Sequence, residues 1–79
     1  MSPTVFRHNE YRFYFFSREE ARMHVHVSCA DGETKFWLSP EVSLAANKGL
    51  SLQQVNEVIR IIEEYRDVIE SSWNRHFSR

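Results

Sequence analysis

Two histidines stand two positions apart inside an apolar run, "RMHVHVSC" at residues 22–29. On an extended strand, side chains at i and i+2 share a face, so His24 and His26 point to the same side. Paired imidazoles placed this way serve as metal ligands, as an acid–base pair, as an anion clamp, or as plain surface residues. As ligands for a divalent metal, His24 and His26 supply two groups where a closed zinc site takes four. His8, Glu10, Asp31, Glu33, Glu41 and His76 are the side chains that would have to complete it, and none stands at a diagnostic spacing. Without a metal, His24, His26 and Arg22 would form a catalytic group in which a histidine moves a proton beside a phosphate held by arginine.

Two neighbours extend the strand without completing a catalytic set. Ser28 continues the histidine face, but a nucleophile must lie within hydrogen-bond reach of its base, and strand neighbours at i and i+2 are too far apart for that. No Gly-x-Ser-x-Gly elbow is present. Cys29 faces the other way by strand parity. It is the only cysteine, so an intramolecular disulfide is ruled out and a buried, inert thiol is expected. No glycine-rich phosphate loop accompanies Arg12, Arg18 and Arg22.

The elements that position these residues follow from the hydrophobic pattern. The segment "TVFR" at 4–7 and the aromatic run "YRFYFF" at 11–16 read as a hairpin, with Asn9 in a turn conformation that asparagine tolerates. In the second of these, Tyr11, Phe13 and Phe15 face one way while Arg12, Tyr14 and Phe16 face the other, so both faces carry aromatics. Residues 17–22, "SREEAR", form a polar connection. Residues 23–29 alternate with period two, Val25 and Val27 inward and the histidines outward. Asp31-Gly32 is a short hairpin turn signal, and 34–38, "TKFWL", returns antiparallel. Pro40 ends that strand. A weaker extended segment at 41–45 and a turn at 47–49 follow.

Ser51 and Gln54 then make a capping box, and Leu50 and Val55 have the spacing of a hydrophobic staple. The stripe Leu52, Val55, Ile59, Ile62 and Ile69 predicts one long helix from residue 51 to residue 77. Unbroken from Leu52 to Phe77 it would be about 39 Å long at about 1.5 Å per residue, so its last turns should bend or serve a partner. Trp73 and Phe77 carry the stripe onward at intervals of four. With Asn74 they either pack against the sheet or form an aromatic contact across an interface. The fold class expected is therefore α+β: an antiparallel sheet of three to five strands (residues 1–46) packed in two layers on one C-terminal helix, within a single domain of residues 1–79.

Composition bounds the function. The 79 residues are 42% hydrophobic and 14% aromatic, enough for a small core but a marginal one, which a homodimer would enlarge. Ten basic residues face eleven acidic ones, and neither half of the chain is strongly basic. That disfavours nucleic acid as a partner, although a folded surface can gather Arg7, Arg12, Arg18 and Arg22. No apolar run approaches the roughly 20 residues of a membrane-spanning helix, and no secretory leader pattern is seen, so a cytoplasmic protein is expected.

Four stretches together resemble a known bacterial family. They are "HVHV" at 24–27, "DGETKFWL" at 31–38, "LAANKGL" at 44–50 and "IIEEYRDVIESSWNRHF" at 61–77. The family is domain of unknown function family 4160, whose members are small, share a similar His-x-His strand and often end near a Trp-Asn-x-x-Phe-like segment, here Trp73 to Phe77. Many members carry Pro-Pro-His-Phe-His before the sheet. This chain has Arg22 and Met23 there, and Val25 between the histidines, so it resembles a variant branch. The resemblance implies a fold more than a function. It points to one component of a two-gene cassette, for which toxin–antitoxin roles have been proposed. Two expectations follow: an interaction or regulatory module with a small protein partner or a second copy of itself and no cofactor, or a toxin-like nuclease or metal-dependent hydrolase centred on His24 and His26.

Overall fold

Alternation of apolar and polar residues along the first two thirds of the chain becomes five strands in the computed structural model, which describes residues 4–15 and 22–77. They are β1 (Thr4–His8), β2 (Tyr11–Tyr14), β3 (His24–Cys29), β4 (Gly32–Trp37) and β5 (Ser43–Lys48). The sheet order is β1-β2-β3-β4-β5 with every neighbouring pair antiparallel. Sequential antiparallel order suits short connections, and turn residues supply those between β1 and β2 and between β3 and β4. Asn9 adopts φ 56° between β1 and β2, the left-handed conformation that its short polar side chain tolerates. Asp31-Gly32 joins β3 to β4, with Cys29 opposite Gly32 in the register. Phe16 and Arg18 lie outside the described residues.

The fifth strand lies further along the chain than the 41–45 segment expected, because Asn47 and Lys48 pair with Thr34 and Glu33 instead of turning. Gly49 turns the chain at φ 104°, a conformation that side chains rarely adopt. A Cβ on Gly49 would sit 2.2 Å from the Asp31 carbonyl oxygen, and one on Gly32 would sit 1.9 Å from that of Lys48. The β3–β4 turn and the segment entering the helices thus touch backbone to backbone, and only glycine leaves room for it.

Both edge strands are bulged. In β1, Thr4 opposes Tyr14 while Phe6 opposes Phe13, so Val5 is the extra residue. In β5, Ala46 opposes Lys35 while Leu44 opposes Phe36, so Ala45 is the extra one. A bulge increases local twist and breaks the even ladder that another strand would need.

The C-terminal segment is two helices, α1 (Leu52–Glu64) and α2 (Arg66–Phe77), instead of the single helix expected. The break is at Tyr65, whose ψ is 23°, well away from the helical value near −42°. Its physical reason is tertiary. The Arg66 guanidinium donates to the Leu38 carbonyl at 2.8 Å and the Pro40 carbonyl at 3.5 Å, and Arg66 Nε meets Glu70 at 2.6 Å. A straight 26-residue rod would also exceed the 37 Å greatest extent of the molecule. At the start of α1, Ser51 Oγ accepts from the Gln54 amide and Gln54 Oε1 accepts from the Ser51 amide, the capping box the sequence announces.

Both helices pack on one face of the sheet. Phe13, Val25, Val27 and Phe36 lie fully buried there against Val58, Ile62 and Ile69. Leu50 and Val55 join this core as the staple spacing implies, whereas Leu52 is 76% exposed. Leu52 is the first helical residue and projects past the end of the stripe that the sheet covers.

Candidate functional site

The sheet face turned away from the helices carries the residues singled out for chemistry. Cross-strand register assembles it in rows. Arg7 is opposite Arg12; Arg12 is opposite Ser28, and Ser28 is opposite Glu33; Tyr14, His26 and Lys35 form a second row; His24 is opposite Trp37. The period-two reading thus places His24, His26 and Ser28 together on one face and Val25 and Val27, both fully buried, on the other.

The two histidines are not equivalent, and the expectation that both would be accessible to solvent is corrected for His24. Its ring is fully buried. It sits edge-on against Trp37 (5.7 Å between ring centres), Trp73 (5.1 Å) and His26 (5.3 Å). Its Nδ1 lies 2.6 Å from the Arg22 carbonyl oxygen. A carbonyl only accepts, so Nδ1 carries the proton and Nε2 is the acceptor nitrogen of the ring. Strand alternation assigns a face but not a position along the strand. His24 stands at the first residue of β3, where Trp73 closes over the end of the sheet. His26 is half-buried and stacks on Tyr14 at 5.4 Å and 22°.

Arg22 contributes to this site mainly as packing. Its Nε donates to the Ser39 carbonyl at 2.9 Å, and its guanidinium lies 4.3 Å over the Trp37 ring. Lys35 Nζ lies 4.6 Å over the same ring, and Arg12 lies 4.5 Å over Tyr14. Such cation–ring contacts are each worth about 0.5–1 kcal/mol at exposed sites. Tyr14 and Trp37 join this face from the outward parity of their strands. The register that puts them beside the histidines is not written in either strand alone.

The side chains proposed to complete a metal site scatter. His8 is on the helix face, 5.4 Å from the Tyr65 ring. His76 is on α2 beside Phe15 and Phe77. Glu41 is exposed in the β4–β5 connection. Glu33 shares the histidine face and accepts from the Tyr14 hydroxyl at 3.3 Å. Glu10 and Asp31 lie at the turn end of the sheet, where one amide group, Gln54 Nε2, donates to Asp31 at 2.8 Å and Glu10 at 3.4 Å. Among the described residues, three ligand-type atoms within 4.8 Å of one another come from Glu10, Cys29 and Asp31. Neither histidine belongs to that group.

At the C-terminal end, Trp73 is 7% exposed and packs edge-on against Phe15 at 5.4 Å, while Phe77 is half-buried and Asn74 is exposed. Two phenols are shifted. Burial, reinforced by the Glu33 charge, raises the Tyr14 phenol above its usual value, with Arg12 opposing. Burial foremost, then the 2.9 Å hydrogen bond donated to Glu57, raises that of Tyr11.

An antiparallel five-stranded sheet with its helices on one face and a cation–aromatic surface on the other defines a small α+β protein. Residues 11–74 match the family described as Domain of unknown function (DUF4160), and the chain belongs to that family. Neither the curated proteins nor the solved structures include a match to this chain. No helix among the described residues is long and apolar enough to cross a membrane.

Proposed function

We propose that this protein is a small interaction or regulatory module that works through the sheet face its helices leave, as one component of a two-gene cassette. The observation that carries this reading is the enclosure of His24. A ring fully buried among Trp37, Trp73 and His26 is shut off from solvent and acts as a packing element. A histidine-centred hydrolase would need both rings turned toward a common open centre. His26 then remains as one member of a wider, half-buried surface with Arg12, Lys35 and Trp37, a composition suited to recognition.

Titration of metal-free protein with Zn²⁺, Mn²⁺ and Ni²⁺ by calorimetry tests the reading. The expected outcome is no stoichiometric site that both His24→Ala and His26→Ala remove. A tight one-to-one site lost in both variants would replace this proposal with the metal-dependent hydrolase.

A further inference from the structure

Among the described residues, strand parity sorts the charges by side. Arg7, Arg12, Lys35 and Lys48 all take the strand parity opposite to the helices, and Arg22 joins them through Trp37. None of these five is buried. Glu33 is the carboxylate at a described strand position of the same face. The helical segment 52–77 has the reverse balance, five acidic residues against three basic. Arg7 stands directly opposite Arg12 in the register.

Planar groups are interleaved with these cations. Half-buried His26 stacks on the buried Tyr14 ring in the middle of the face, and half-buried Trp37 lies at the His24 end. Beside them, His26, Lys35, Ala46 and Lys48, with Glu33 directly opposite Lys48, border an open depression of about 300 Å³, at the small end of ligand-pocket volumes. Cations at intervals along an extended surface match a chain of phosphates. Rings among the cations match unpaired bases, which a duplex keeps inside its stack. An acidic polypeptide would use the charges but has no need of the rings.

We propose that this face binds a single-stranded polynucleotide, with phosphates along Arg7, Arg12, Lys35 and Lys48 and a base beside His26 or Trp37. The proposal rests on the module reading above and names its ligand.

The test is fluorescence anisotropy of the full chain with a labelled 12-nucleotide oligouridine at low salt. Binding should weaken as salt rises, with a log–log slope of about −2 to −3 for three or four neutralised phosphates. Arg7→Glu and Lys48→Glu, both exposed and outside the core, should each weaken binding about tenfold or more. Arg60→Glu, on the exposed side of α1, should leave it unchanged. Circular dichroism establishes that each variant is folded. Oligouridine should also quench the fluorescence of Trp37, read in Trp73→Phe. If that variant fails to fold, Trp37→Phe against wild type isolates the same signal. Equal loss in Arg60→Glu would mean unspecific attraction and overturn the proposal. So would absence of binding, or equally tight capture of polyglutamate abolished by the same two reversals. The polyglutamate result would leave the module reading standing, whereas a histidine metal site would remove that reading whatever the oligonucleotide does.

Discussion

His24 and His26 show how far two identical residues can diverge over one pleat. His24 is surrounded by two tryptophans and its fellow histidine, so truncation leaves a void in a packed aromatic cluster. His24→Ala should lower stability by about 2–4 kcal/mol in urea denaturation, in the range of large-to-small changes at buried sites. His26→Ala, half-buried, should lose under about 1 kcal/mol. Comparable losses in both would mean that the enclosure of His24 has no energetic consequence. The pairing of the two rings on one side was legible because strand geometry has period two. The difference between them was not, because it is made by Trp73, which sits on α2 and has no local relation to β3. Tyr11 and Tyr14 hold protonated phenols in the fold, each raised chiefly by burial. A raised acid contributes stability that is complete below its unfolded value near pH 10 and lost as pH climbs above it. The urea midpoint should therefore drop as pH rises past about 10, and Tyr11→Phe with Tyr14→Phe should flatten that dependence. An unchanged slope in the double variant would rule these phenols out as its source.

At the level of elements, Gln54 does more than its motif declares. Ser51-x-x-Gln54 was readable as a capping box because both partners lie within one turn of each other. The remaining bonds of Gln54 reach Glu10 and Asp31, so one side chain joins the β1–β2 turn, the β3–β4 turn and the start of α1. Ser51→Ala removes the cap alone and should destabilise by about 1 kcal/mol. Gln54→Ala removes the reciprocal bond and both turn contacts, and the thermal midpoint should fall further than in Ser51→Ala. Equal shifts would show that the turn contacts add nothing. The length of the helix suggested a bend in its last turns, but its position at Tyr65 escaped the sequence because helix periodicity continues across it without a proline or glycine. The bend is dictated by Arg66 reaching the carbonyls of the β4–β5 connection, a contact that exists only once the sheet is formed. The bulges at Val5 and Ala45 were equally hidden, since an extra residue in an edge strand shows only against its partner.

For the molecule as a whole, the α+β class was legible because the two periodicities occupy separate stretches of the chain, two before residue 49 and 3.6 after it. What composition concealed was polarity. A chain with a net charge of −1 folds so that one side of the sheet gathers cations while the helices carry an acidic excess. Three of the four arginines proposed to gather on a surface, Arg7, Arg12 and Arg22, do meet on that side, and Arg18 lies outside the described residues. A sum over a sequence cannot report this, because strand parity sorts the charges by side. The salt dependence proposed for oligonucleotide binding is a property at this scale, set by the whole array and not by any one arginine.

The two bulged edges bear on how the protein is made. Synthesis delivers all five strands before either helix. In that interval Phe13, Val25, Val27 and Phe36 have nothing to pack against, and a half-finished sheet has a bare apolar side. A nascent hairpin with straight, regular edges would then be open to strand exchange with neighbouring chains on the same messenger. An irregular rim at each end makes such exchange poorly matched during the wait for residues 52–77, so the same two residues that shape the finished sheet also guard the unfinished one.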